Sequence, residues 1–159
     1  MENNATSVTG YFDSSALVKR YLTESGTTWV QSWCSSPQYI SATAEIGLVE
    51  IAAAFAGKLR GGYITDQEYQ TARLDLDLDA QNEYVLVAVT RLIIEEAIKL
   101  TEQHRLRGYD AVHLACALHL NQALIVEQLP LLIFISSDRN LLTAATAAGL
   151  STADPNTYP

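Results

Sequence analysis

Four acidic residues of this chain sit in settings that point to chemistry. Asp13 directly follows the short β-prone run Val8 to Phe12, and Asp138 follows the apolar run LLIFISS in the same way. Asp110 opens the segment AVHLACALHL, where a carboxylate has almost nothing polar around it, and Glu50 stands between Leu48-Val49 and Ile51-Ala52-Ala53-Ala54. Taken singly, each aspartate reads as a helix cap or first-turn acid, which needs no function. Three at equivalent places is a pattern. Four carboxylates converging without a cation would repel one another and shift toward their neutral forms, and a divalent ion removes that penalty. Oxygen-only ligation selects a hard ion, Mg²⁺ or Mn²⁺, of which Mg²⁺ takes only one or two protein carboxylates and keeps several waters. Such an ion activates water and stabilises charge on a phosphoryl oxygen, and a pair of ions would clamp both the attacking and the leaving oxygen. The implied chemistry is hydrolysis of a phosphate ester, with one ion or two left open.

The elements that must position these acids follow from the same sequence. Val8 to Phe12 runs as a strand into Asp13-Ser14-Ser15, where a side-chain oxygen caps a helix toward Leu22. Thr27 to Trp33 gives a second short helix, and Tyr39 to Ser41 a brief strand. The run AEIGLVEIAAAFAGKL has the clearest helix signal, with Thr43 as its expected cap and Gly61-Gly62 as its stop. At about 100° per residue, Glu45 and Glu50 lie about 140° apart on that helix and cannot serve one site. Ala53, Ala54 and Gly57 share the face of Glu50 and leave room for close approach. Glu50 is therefore the candidate, and Glu45 is kept as the alternative. Thr65 to Glu68 has capping-box spacing, YVLVAV (Tyr84 to Val89) reads as a buried strand, and Thr90 caps a helix through LIIEEAIKLTEQH. Tyr109 to Leu124 reads as an interior helix, Leu131 to Ile135 as a strand, and Asp138 to Ala148 as a final helix closed by Gly149. Strands alternating with helices predict a parallel sheet covered on both faces. In such sheets ligands bind beyond the carboxyl ends of the strands, which is where Asp13 and Asp138 fall.

Bulk properties narrow the field. At 159 residues the chain is read as a single domain, 1–159, able to bury about 70% of its unfolded surface without disulfides or a structural metal. Cys34 and Cys116 lack metal-site spacing, which makes a reduced setting the default. No signal peptide is read in MENNATSVTG, and no apolar run reaches the ~18 residues of a membrane span, so a cytoplasmic protein without membrane attachment is expected. The net charge of −8 argues against broad binding to nucleic acid. Two bound divalent ions would halve that charge, leaving weak, locally guided binding possible and making a basic protein the natural tight partner.

The order and flanks of the acids resemble the PIN domain, and more narrowly the VapC-like ribonuclease toxins of toxin–antitoxin pairs. The segments carrying the resemblance are YFDSSALVKRY, VEIAAAFAGKLRGG, RGYDAVHLACAL and ISSDRNLLTAATAAGL, which span Tyr11 to Leu150. The stretch between Ser41 and Glu50 is a few residues longer than the family pattern. The resemblance implies a Rossmann-like α/β/α sandwich with a central parallel sheet of four to five strands. It implies a Mg²⁺- or Mn²⁺-dependent endoribonuclease in which Asp13, Glu50, Asp110 and Asp138 form the metal site with Ser15 beside the first. It also implies RNA as substrate, an antitoxin that occupies the site, and a homodimer.

Other residues take lesser readings. His113, one helical turn after Asp110, reads as a packed helix histidine; His104 and His119 have no pattern. The run Asp75-Leu-Asp77-Leu-Asp79 lacks the glycine and closing glutamate of a calcium loop and reads as an exposed helix face or a helix end. Trp29, Trp33 and Tyr21 suit either a core or a partner interface. Lys19, Arg20, Arg105, Arg107 and Arg139 lie near the acids in sequence and as a set could line a groove for an RNA backbone, with Arg107 and Arg139 the candidates for positioning phosphate. Two other functions compete. A PIN-like binding module with a weak metal site would bind no divalent ion at millimolar concentration. A metal-dependent phosphatase is disfavoured because Asp13-Ser14-Ser15 lacks an aspartate two residues on.

Overall fold

Five short runs of β-prone residues assemble into one sheet in the computed structural model, which describes residues 6–158. Residues 1–5, half of the ten-residue segment read for a leader, and residue 159 lie outside the described residues. The strands are β1 (Val8–Phe12), β2 (Tyr39–Ala44), β3 (Tyr84–Val87), β4 (Ile133–Ile135) and β5 (Ser151–Ala153). All neighbours pair in parallel, in the order β3-β2-β1-β4-β5. The helices are α1 (Ser14–Leu17, continued by a 3-10 turn at Val18–Arg20), α2 (Thr27–Ser35), α3 (Glu45–Arg60), α4 (Asp66–Asn82), α5 (Arg91–Gln103), α6 (Gly108–Val126) and α7 (Arg139–Ala147).

Side chains alternate across a strand, so each strand feeds both faces of the sheet. Tyr11, Ala42, Ala44 and Phe134 pack with Ile93, Leu100, Leu114 and Leu141 of α5, α6 and α7. Phe12 and Ile135 point the other way and pack with Leu17, Val30, Trp33, Ile51, Phe55 and Leu76 of α1 to α4. The result is the three-layer α/β/α sandwich the sequence predicted. Gly10 in β1 is where the second core presses closest. A Cβ there would stand 2.7 Å from Trp33 Cζ2 and 2.8 Å from Ile135 Cδ1, so the indole lies directly on the strand backbone.

Several elements differ from their sequence reading. Thr43 is not a helix cap: β2 runs on through Ala44, which takes the N-cap position without a side-chain bond, and Thr43 is fully buried in the strand. The apolar run YVLVAV forms an edge strand rather than a buried one, with Val85 exposed, because β2 flanks it on one side only. The segment after Gly149 adds the fifth strand, which its three short residues did not announce. Trp33 is core, and Tyr21 and Trp29 pack against it. Asp75 and Asp77 lie on an exposed helix face as read, while Asp79, near the end of α4, accepts from Arg20 Nη2 at 3.0 Å and from Tyr21 Oη at 2.8 Å, tying that end to the turn after α1. Among the described residues no helix is long and apolar enough to cross a membrane.

Candidate active site

β1 has β2 on one side and β4 on the other, so the chain reverses its direction of travel across the sheet between these strands. At such a switch point the loops leaving the strands diverge and leave a crevice at their carboxyl ends. Phe12 pairs with Ile135, which brings Asp13, the first residue after β1, beside Ser136, the first residue after β4. Ser136 Oγ donates to Asp13 Oδ2 at 2.7 Å and itself accepts from the Asp138 backbone N–H at 3.0 Å. Ser15 Oγ lies within 2.8 and 2.9 Å of the two Asp13 oxygens, and the Ala16 N–H donates to Oδ1 at 3.0 Å. Asp13 is thus a helix cap as well as a candidate site acid. The same holds for Asp138, whose Oδ1 accepts from the Leu141 N–H at 3.0 Å while Oδ2 faces the crevice.

The other two acids come from the flanking layers. Asp110, in the first turn of α6, accepts from Arg107 Nε at 3.0 Å, and Arg107 Nη2 reaches Asp138 Oδ2 at 3.5 Å. Glu50, on α3, accepts from Ser14 Oγ at 3.2 Å through Oε2 and lies 2.6 Å from His113 Nε2 through Oε1. Ser136 thus links Asp13 to Asp138 and Arg107 links Asp138 to Asp110, while Glu50 borders the same region through Ser14, the neighbour of Asp13, and through its charge on Arg107. Glu45 is exposed at the start of α3, on another face from Glu50.

Burial grades the electrostatics. Asp13 is 4% exposed, and removal from water pushes its carboxyl above the ordinary range, against the charge of His113 and the bonds from Ser136, Ser15 and Ala16 that pull it down. Arg107 is held protonated more firmly than usual by its bond to Asp110 and the charges of Asp110 and Asp138. Among the described residues no three His, Cys, Asp or Glu side chains are grouped tightly enough to hold a metal ion by themselves. Each carboxylate is instead engaged by a hydroxyl, an amide, a guanidinium or an imidazole.

The basic set divides. Lys19 is buried and pairs with Glu24 at 3.2 Å, and Arg20 pairs with Asp79. Neither is available to line a groove. Arg107 touches the acids, and Arg139 is exposed at the first position of α7, beside Asp138. Ser14, Ser136 and Tyr11 are the contacts sequence reasoning missed; His113 is packed, as its position predicted, and touches Glu50 besides. The mirrored runs Asp13-Ser14-Ser15 and Ser136-Ser137-Asp138 carried a signal for the serines: hydroxyls within two residues of each strand-end acid.

A parallel α/β/α sandwich with acids gathered around the mouth at its switch point defines a class, the three-layer domains with an acidic cleft. The family model for the PIN domain matches residues 10–145, which hold all four acids, and the chain belongs to the PIN-domain family. Ribonuclease VapC45 of Mycobacterium tuberculosis is 33% identical over 150 residues, covering 94% of this chain and 97% of that protein. The crystal structure of PAE2754 from Pyrobaculum aerophilum superposes with a TM-score of 0.63 at 17% identity, over 94% of this chain and 85% of that one. A toxin–antitoxin complex from Klebsiella pneumoniae gives 0.55 at 18% identity, over 92% and 97%.

Proposed function

We propose that this chain is a divalent-metal-dependent endoribonuclease of the VapC type, the toxin of a toxin–antitoxin pair, in which Asp13, Glu50, Asp110 and Asp138 hold Mg²⁺ or Mn²⁺. The observation that carries the reading is the placement of Asp13 and Asp138 at the switch point of a PIN-domain sheet, with Arg107 bridging Asp138 to Asp110 and Glu50 bonded to Ser14 beside Asp13. The donor chemistry fits the ion. All the candidate ligands are carboxylate oxygens, and a magnesium site needs only one or two of them alongside water, so a ready-made cage of three is not required. Asp13, a buried carboxylate whose charge is disfavoured by desolvation, gains most from a nearby cation.

When bound, the ion supplies charge neutralisation and Lewis acidity at a phosphoryl oxygen. Asp13 and Asp110 are the principal ligands in this reading. Ser15 and Ser136 hold Asp13 in one orientation through three of its hydrogen bonds. Glu50 and Asp138 complete the acidic pocket and orient the attacking water by accepting its protons. Arg107, 81% exposed, can turn from the acids toward a substrate phosphate, and Arg139, exposed at the start of α7 next to Asp138, is available to take a second. Partners follow from the same reading: a cognate antitoxin, favoured as a basic protein by the charge of −8, and a second copy of the chain. The setting is the cytoplasm, where RNA is the substrate.

Structured RNA incubated with the protein and Mg²⁺ or Mn²⁺ is expected to be cut internally, with cleavage abolished by EDTA and by Asp110→Asn. Cleavage that persists in either arm overturns the mechanism.

A further inference from the structure

His113 is a buried imidazole that the proposed reaction does not use, and both of its nitrogens are engaged. It is 1% exposed, on α6 one turn beyond Asp110. Nδ1 lies 3.0 Å from Tyr11 Oη and Nε2 lies 2.6 Å from Glu50 Oε1. The tyrosine ring meets the imidazole edge-on, with centroids 6.0 Å apart. Gly47, nearly one turn before Glu50 on α3, makes the approach possible. A Cβ at residue 47 would stand 3.3 Å from His113 Cε1 and 2.8 Å from Thr43 Oγ1, so a larger side chain would force α3 off the ring. Tyr11, His113 and Gly47 form a socket from the two sides of the site, and Glu50 is its polar outlet.

The direction of the hydrogen bonds can be argued. Burial drives the Tyr11 phenol well above its ordinary pKa, so its O–H persists. The Glu50 carboxylate only accepts, so the ring proton sits on Nε2, aimed at Glu50, and Nδ1 of the neutral imidazole accepts from the Tyr11 O–H. An imidazolium would aim the same Nε2–H at the same oxygen. In both forms Glu50 receives a donor at Oε1 while Ser14 Oγ serves Oε2.

We infer that His113 is a positioning residue: with Tyr11 selecting the donating nitrogen and Gly47 admitting the ring, it fixes the carboxylate of Glu50 in the orientation the metal site uses. The inference rests on Glu50 belonging to that site. Partners of this kind, one shell out from a metal ligand, typically change metal affinity or activity about 10–100-fold when lost. A histidine that merely fills space would be replaced without that loss by a side chain of similar bulk.

The test measures Mn²⁺ affinity by calorimetry, kcat and KM for RNA cleavage, and thermal unfolding of the metal-free protein. His113→Leu keeps bulk and removes the donor; it is expected to weaken Mn²⁺ and lower kcat by about 10-fold or more with KM for RNA unmoved. His113→Gln places an amide N–H near the Nε2 position and is expected to recover most of the loss, whereas His113→Asn reaches only the Nδ1 position and is expected to behave like leucine. The Gln and Asn pair carries the test by itself if the leucine variant fails to fold. Equal Mn²⁺ affinity in the Gln and Asn variants overturns the proposal, as does a Glu50→Gln/His113→Leu double variant worse than Glu50→Gln by the full effect of the His113→Leu change. Glu50→Gln separates the two levels of the argument. If it binds Mn²⁺ like the unaltered protein, the site assignment and the positioning role fall together; if it weakens binding while the histidine variants do not, only the positioning role falls.

Discussion

Asp13 performs two tasks that pull its energetics in opposite directions. As a cap it closes the first turn after β1, and as a buried carboxylate it carries a charge that desolvation disfavours. A folded-state pKa raised above the unfolded value means that the group's contribution to stability is complete at low pH and is lost as pH rises through the folded pKa. At neutral pH, in the absence of metal, Asp13→Asn should therefore raise the melting temperature, because asparagine caps about as well as aspartate and brings no charge. The same substitution should abolish the further rise in melting temperature that Mn²⁺ gives the unaltered protein, and cut cleavage by about 10³-fold or more. A melting temperature that falls on substitution would contradict the account of Asp13 as a strained, charge-bearing site residue. Ser136→Ala removes a donor to Asp13 Oδ2 without touching the crevice, and is expected to lower activity about 10–100-fold with the fold intact. At this scale the sequence disclosed the acids better than what holds them. Asp13, Asp110 and Asp138 stand at element ends that pattern reveals, whereas the bond from Ser136 to Asp13 spans a separation of 123 residues and depends on strand pairing. His113 looked like packing because it is packed; its proximity to Glu50 exists only once α3 and α6 close over the end of the sheet.

Elements were legible where a local signal sets them. The capping box Thr65–Glu68, the Thr90 cap and the glycine stops of α3 all lie where spacing put them, because each is decided within a few residues. Thr43 and YVLVAV went astray because a cap and a continuing strand present the same residue types, and because edge or centre depends on sheet order, which is non-local. The basic residues near Asp13 went astray for a related reason. Lys19 is drawn into a buried cluster with Glu24, which also pairs with Lys58 of α3 at 2.9 Å. Glu24 thereby ties the loop after the first helical turns to α3, the helix that carries Glu50. Partial burial pushes its carboxyl up, but the bonds from Lys58 and Lys19 outweigh that and leave it below the ordinary range. A depressed pKa gives stability that is present above the unfolded value and lost as pH falls through the folded one. Glu24→Gln should cost on the order of 1–2 kcal/mol at pH 7, discounted for partial exposure, or about 3–8 °C in melting temperature. The gap between the variant and the unaltered protein should close as pH falls below the carboxylate range. A gap that widens with acid would exclude the lysine pair as its cause.

Across the whole molecule, ion pairing decides how much of the basic charge an RNA can use. Lys19, Arg20, Lys58, Arg73, Arg91 and Lys99 are each paired with an acid away from the mouth. Arg107 pairs with Asp110 and Asp138, while Arg60, Arg105 and Arg139 have no ion-pair partner among the described residues: Arg105 stands two residues before Arg107, Arg139 opens α7 next to Asp138, and Arg60 ends α3. A surface of net charge −8 with three arginines at one mouth should engage few phosphates. Each phosphate neutralised on single-stranded nucleic acid contributes about −0.7 to the slope of log K against log salt, so binding of a single-stranded RNA to the non-cleaving Asp110→Asn variant is expected to show a slope of about −2 at a fixed divalent concentration. Arg107→Ala in that background should weaken binding at low salt and reduce the slope by about 0.7. A slope of about −4 would require twice the basic surface that one copy presents in this way, and would point instead to a groove shared by two copies, each contributing its own three arginines.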